Sequence, residues 1–208
     1  AGSSNAFTVH VTDTPTSIGV ATSVTAAQKL TGNPAGDRTN ITIHFTPPAG
    51  ATSFKVYRAP FGHYPYYDDA GGATPVQPTT FPPAAPWTLT PGTADGGNDL
   101  PPTRDYYYYV VYAQNACGDQ STASTMTGGT LGYHLGDVTD GFTAGVGDNL
   151  VQTEDISALG ANYGLTLAAN DPLGYLDVGP TTTHYVDGRP LTDKKVNFED
   201  LVMFAINF

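Results

Sequence analysis

Apolar and polar residues alternate with a period of two in several short stretches before residue 130, and with a helical period in two stretches after it. Ile41, Ile43 and Phe45 alternate with Thr42 and His44, Phe54 and Val56 with Lys55 and Tyr57, and Trp87 and Leu89 flank Thr88. Strict alternation places every second side chain on one face of a strand. Val20 to Ala26 has strand composition too. The run from Tyr106 to Tyr112 supplies both faces of one strand, with Tyr107, Tyr109, Val111 and Ala113 assigned to the core face and Tyr106, Tyr108, Val110 and Tyr112 to the other. Pro- and Gly-rich turns separate these runs, so residues 18–130 are expected to form an all-β sandwich of short strands.

Two stretches of this region carry more than one reading. Tyr106, Tyr108, Tyr112 and Tyr57 are expected on an outward face, where they serve either as a stripe for sugars or a partner, or as cross-strand packing with wet hydroxyls. Ahead of the sandwich, residues 1–17 hold an extra strand pattern with Phe7, Val9 and Val11 on one side. It is either an edge strand of its own sheet or a strand that pairs with a neighbouring molecule.

In the C-terminal region, Ile156, Leu159 and Tyr163 repeat at helical spacing, and so do Leu201, Phe204 and Phe208. The second helix is apolar on its other sides as well, through Val202, Met203, Ala205 and Ile206. A helix apolar all round needs burial on several sides, so it is expected to pack against the sandwich or against another chain.

Each helix follows an acidic stretch, and the two stretches are copies. Asp148-Asn149-Leu150-Val151-Gln152-Thr153-Glu154-Asp155 aligns with Asp193-Lys194-Lys195-Val196-Asn197-Phe198-Glu199-Asp200, an offset of 193 − 148 = 45 residues. The lead-ins also match, Leu135-Gly136-Asp137-Val138 against Tyr175-Leu176-Asp177-Val178. A duplication of this kind constrains the fold more than composition does. Oxygen donors at EF-hand positions 1, 3, 5, 7, 9 and 12 bind calcium. With Asp155 as position 12, the first copy offers Asp137, Thr139 or Asp140, Asp148, the Leu150 carbonyl and Gln152; the second offers Asp177, Asp193, the Lys195 carbonyl, Asn197 and Asp200. Two Ca2+ ions are the expected cofactors. The competing reading is that these carboxylates cap helices and meet the positive end of the helix dipole.

Residues Tyr133 to Phe208 thus resemble the dockerin family, whose paired calcium loops end in Asp. There are departures. Position 1 to position 5 spans 148 − 137 = 11 residues in the first copy and 193 − 177 = 16 in the second, so both loops carry insertions. The turn glycine at position 6 is replaced by Asn149 and Lys194, and the recognition positions hold Thr153-Glu154 and Phe198-Glu199 instead of a small polar pair. Upstream, Phe54-Lys55-Val56-Tyr57-Arg58 and Tyr107 to Asn115 resemble the third and sixth strands of a fibronectin type III domain. The resulting expectation is a mainly β chain. An immunoglobulin/fibronectin-like sandwich (18–130) is followed by a small α-helical, EF-hand-like and dockerin-like calcium module (131–208).

Composition narrows the partners. The chain has 208 residues, 24 Gly, 17 Pro, a net charge of −11 and a pI near 4.4. So acidic a chain is a poor match for nucleic acid, and no apolar run is long enough to span a bilayer. Cys117 is the only cysteine, so no internal disulfide forms. Ala1-Gly2-Ser3-Ser4 is compatible with a cut N-terminus. There is no phosphate loop or nucleophile elbow, and the five His are scattered. Asp68-Asp69 reads as a solvated turn, Asn40-Ile41-Thr42 fits a glycan sequon, and residues 74–91 and 121–130 are rich enough in Thr and Pro to carry O-linked sugar. The expectation is a non-catalytic extracellular or cell-surface structural protein of prokaryotic origin. Calcium would stiffen it, and copies would assemble head to tail into a fibre or layer. Contacts are expected at Phe7, Val9 and Val11, and at Val202, Met203, Ile206 and Phe208. The alternatives are a dockerin-type anchor for a cohesin-like protein and a carbohydrate-binding module.

Overall fold

The computed structural model describes residues 17–67, 77–92 and 94–208. Phe7, Val9 and Val11, and Asp68-Asp69, lie outside the described residues. Among the described residues, seven strands build two antiparallel sheets. β1 (Thr22–Gln28), β2 (Ile41–Thr46) and β5 (Gly97–Asp99) form one, in the order β1-β2-β5. β3 (Ser53–Pro60), β4 (Thr88–Leu89), β6 (Tyr106–Gln114) and β7 (Thr130–Leu131) form the other, in the order β4-β3-β6-β7. The helices α1 (Thr153–Ala161) and α2 (Phe198–Asn207) follow.

The expected alternation is realised between the sheets. Ile41, Ile43, Phe45 and Val56 pack there with Tyr107, Tyr109 and Val111 of β6. Two tyrosines have buried polar ends. The Tyr107 hydroxyl donates to the Thr103 carbonyl at 2.9 Å, four residues upstream. That is the tyrosine corner of immunoglobulin-like sandwiches, which ties the start of a strand to the preceding loop. The Tyr109 hydroxyl donates to Asp99 at 3.0 Å, and Arg58 pairs with the same carboxylate at 2.5 Å.

Beside β6, the segment before β7 pairs three residues for two. Ser121, Ser124 and Thr127 face Ala113, Val111 and Tyr109. Their backbone N–H groups donate to the facing carbonyls at 2.9, 3.0 and 3.1 Å. Their hydroxyls accept the facing N–H groups at 2.9, 2.9 and 3.0 Å. Side-chain oxygens stand in for the missing half of a β-ladder, satisfying donors that would otherwise be buried unpaired. These three side chains are therefore structural. The expected O-linked sugar on residues 121–130 has no free hydroxyl at these positions.

The other face of β6 is also covered, which corrects the expectation of an outward tyrosine stripe. Tyr106, Tyr108 and Tyr112 are buried and Tyr57 is half-buried. They belong to one continuous cluster with Tyr67 and Trp87 from the segment between β3 and β4. The same cluster includes Tyr133 and Leu135 from the link after β7, and Val138, Leu159, Leu176, Val196, Met203 and Phe204 from the C-terminal unit. The physical reason is that a two-helix unit has too little apolar surface for a core of its own, so it uses the second face of the sheet. The link itself is held. Gly132 N–H donates to Asp105 and Thr39 N–H to Gly132, both at 2.9 Å.

Candidate functional site

The duplicated unit was the strongest candidate for chemistry, and its local geometry follows from the inserted residues. Each insertion leaves the loop as a small hairpin. Thr139 bridges Ala144 in the first copy and Thr181 bridges Pro190 in the second. The Thr139 and Thr181 hydroxyls each donate to the carbonyl four residues on, at 3.3 and 2.6 Å. The hairpins close at their bases, so Asp137 still meets Asp148, 11 positions further on, and Asp177 still meets Asp193, 16 further on (148 − 137 and 193 − 177). Asn149 and Lys194 take the left-handed backbone of the position-6 turn, with φ of 70° and 65°.

The four buried carboxylates make the same bonds in both copies. Asp137 accepts the N–H groups of Asp148 at 2.8 Å and Asn149 at 3.1 Å. Asp177 accepts those of Asp193 at 3.3 Å and Lys194 at 2.7 Å. Asp155 takes Val138 and Thr139 N–H on one oxygen, at 2.7 and 2.9 Å, and Gln152 N–H on the other at 2.9 Å. Asp200 takes Val178, Gly179 and Asn197 N–H at 2.7, 2.9 and 2.8 Å. Asp155 and Asp200 are each the third residue of a helix, so one oxygen caps its own helix while the other reaches the start of its loop. Gly147 lies against Asp137, where a Cβ would come within 2.1 Å of a carboxylate oxygen.

The remaining expected donors are engaged more superficially. Asp148 accepts Leu150 N–H at 3.0 Å and the Gln152 side-chain amide at 3.0 Å. Asp140 turns away to the hairpin tip, where it accepts Phe142 and Thr143 N–H. Asp193 accepts Lys195 N–H at 2.9 Å and its ammonium at 3.0 Å, and Asn197 accepts Glu199 N–H at 2.7 Å. Among the described residues no cluster of three or more His, Cys, Asp or Glu is gathered as a metal site. The buried carboxylate oxygens are engaged by backbone donors, so this donor set does not fit a dication as it stands.

One residue that the sequence reading missed sits at the centre. Arg104, in the corner before β6, is buried. Its Nη1 lies 3.5 Å from the Asp137 carboxylate and donates to the Asp37 carbonyl at 3.1 Å; its Nη2 donates to the Asp137 carbonyl at 2.5 Å. The guanidinium lies 4.4 Å from the ring centre of Tyr133 and 5.5 Å from that of Tyr64. Burial pushes the Asp137 carboxyl up to about 6, against the pull of Arg104 and two backbone N–H groups. Burial also raises Asp177, to about 7, helped by the nearby Asp200, and Asp200 itself to about 6. Asn149 adds a second tie to the sandwich, donating to the carbonyls of Pro34 at 2.9 Å and Gly36 at 2.6 Å.

The expected contact residues of α2 divide. Met203 is buried in the shared cluster and also forms part of the lining of the groove beside α2. Val202 is half-buried, while Ile206 and Phe208 are exposed at 57% and 67%, and Phe198 joins them at 65%. Phe198, Val202 and Ile206 line one side of a groove of about 350 Å3 with Pro180 and His184.

No family model matches the chain, and no curated protein matches it. Among solved structures it is similar to a Fn3-like protein from Clostridium thermocellum, at 20% sequence identity and a TM-score of 0.34, over 54% of this chain and 91% of that one.

Proposed function

We propose that this chain is a non-catalytic structural protein. In this reading a fibronectin-like sandwich and a dockerin-like pair of loop–helix repeats are fused into one stiff unit, and copies associate through the outer face of α2. The single observation that carries this reading is the asymmetry between the two repeats. At equivalent positions α1 presents Thr153, Ser157 and Ala161 outward, whereas α2 presents Phe198, Val202 and Ile206. Since α1 has the same fold without them, the apolar side chains of α2 are not needed to build the repeat. Apolar surface with no structural duty marks a contact. The shared cluster supports the stiffness, because hinging at the link would expose Tyr106, Tyr108 and Leu135.

Light scattering over a range of concentrations tests this. Wild-type chain is expected to form assemblies that Val202→Asp with Ile206→Asp abolishes, leaving a folded monomer. Wild-type chain that stays monomeric at all concentrations would reject self-association. Retained binding of a cohesin-like protein by that monomer would favour the anchoring alternative.

A further inference from the structure

We infer that the duplicated loops are closed by their own carboxylates, assisted in the first copy by Arg104, and that this chain folds and stays folded without calcium. In an EF-hand loop the terminal carboxylate reaches the start of the loop through the ion. Here it reaches the start directly. Asp155 Oδ1 holds Val138 and Thr139 N–H at 2.7 and 2.9 Å, and Asp200 Oδ1 holds Val178 and Gly179 N–H at 2.7 and 2.9 Å. The two copies share little sequence in the hairpins between these points, yet they arrive at the same contacts. This agreement makes the pattern a property of the unit.

Three further observations stand against a cation in these loops. Each copy already directs five backbone N–H groups at its two buried carboxylates, two at the position-1 Asp and three at the position-12 Asp. Those amide donors occupy lone pairs that a metal ion would otherwise use. The Arg104 guanidinium is fixed 3.5 Å from Asp137, so an incoming dication would meet a like charge in a buried site. In the second copy the Lys195 ammonium holds Asp193, the position-5 oxygen. To bind Asp155 or Asp200, a dication would have to compete with the three N–H groups that each carboxylate already holds.

The consequence is a transfer of duty. In the first copy the positive charge arrives from the sandwich, so closing the loop and docking the two parts of the chain are one event. Thermal unfolding of the full chain tests this, read by circular dichroism in EGTA and in about 5 mM calcium, which lies above the range of extracellular calcium loops. The expected result is the same melting temperature and the same spectrum in both. Calorimetric titration with calcium chloride is expected to show no saturable heat. A melting temperature several degrees higher in calcium, loss of helical signal on chelation, or a saturable calcium isotherm would each overturn the inference. A parallel experiment with Arg104→Met reads the first loop alone. Lower stability in EGTA than wild type is expected. Wild-type stability in EGTA together with a new calcium response would reject Arg104 as the resident cation.

Discussion

Arg104 lies 3.5 Å from Asp137, with the guanidinium on the sandwich side and the carboxylate in the first acidic loop. Both are buried, so the pair cannot be treated as a surface salt bridge. Removing one member of a buried pair leaves the other uncompensated, at a cost of about 3–5 kcal/mol. Arg104→Met is therefore expected to lower unfolding free energy by about that much in urea titration. Arg104→Lys is expected to rescue only part of it, since one ammonium cannot reach the Asp37 carbonyl, the Asp137 carbonyl and the carboxylate as the planar fork does.

Asp155→Ala and Asp200→Ala each strand three backbone donors, two of them at a loop start. Each is expected to destabilise by at least about 3 kcal/mol, given roughly 1–3 kcal/mol for each buried donor left unmet. The losses should be equal in EGTA and in calcium. Asp140→Ala, at an exposed hairpin tip, should have a far smaller effect. Denaturant titration of the three variants in both buffers checks the ranking.

The hydroxyls of Ser124 and Thr127 predict a different loss. Thr127→Val keeps shape but removes the acceptor for Tyr109 N–H, and Ser124→Ala removes that for Val111 N–H. Each should cost about 1–3 kcal/mol. Amide exchange at Tyr109 and Val111 should speed up in the matching variant more than elsewhere in β6. Unchanged exchange at these two amides would show that the hydroxyls are not their acceptors.

Asp105 predicts a pH effect of definite sign. Its carboxyl accepts Gly62 and Tyr106 N–H, both at 2.7 Å, yet burial dominates and pushes it up to about 6 from 3.8. A raised folded-state value means the native chain binds the proton more tightly than the unfolded chain does. The contribution to stability is therefore full below pH 3.8 and declines as pH rises, reaching its floor above about 6. Carbon-detected NMR titration of the Asp105 carboxyl should give a midpoint near 6. A midpoint below 4 would remove this source of pH dependence.

Much of the sandwich was legible because its signals are local. Ile41, Ile43 and Phe45 alternate, and Tyr107, Tyr109 and Val111 face them as their parity requires. The end of α1 was less so: Tyr163 continues the helical spacing, but the helix stops at Ala161 and Tyr163 is half exposed. The tyrosine face of β6 was misjudged for a physical reason. Alternation says which side chains share a face, but not whether a second layer covers it, and Tyr106 and Tyr108 pack equally well under a helical unit as in water. The same limit applied to Met203 and Ile206, which lie three residues apart on one helix, one buried and one exposed.

The duplication and the spacing of its acidic residues followed from sequence alone, because they depend on residues close together in the chain, whereas the left-handed turn at Lys194, a residue that adopts it less readily than Gly or Asn, is seen only in the structure. What the carboxylates hold did not follow from sequence either. Whether Asp155 meets a metal or the N–H groups of Val138 and Thr139 depends on how the hairpin between them closes. Whether Asp137 needs a cation depends on Arg104, 33 residues earlier and in the other part of the fold. One-dimensional spacing lists the available oxygens; only the packed structure decides which donors reach them first.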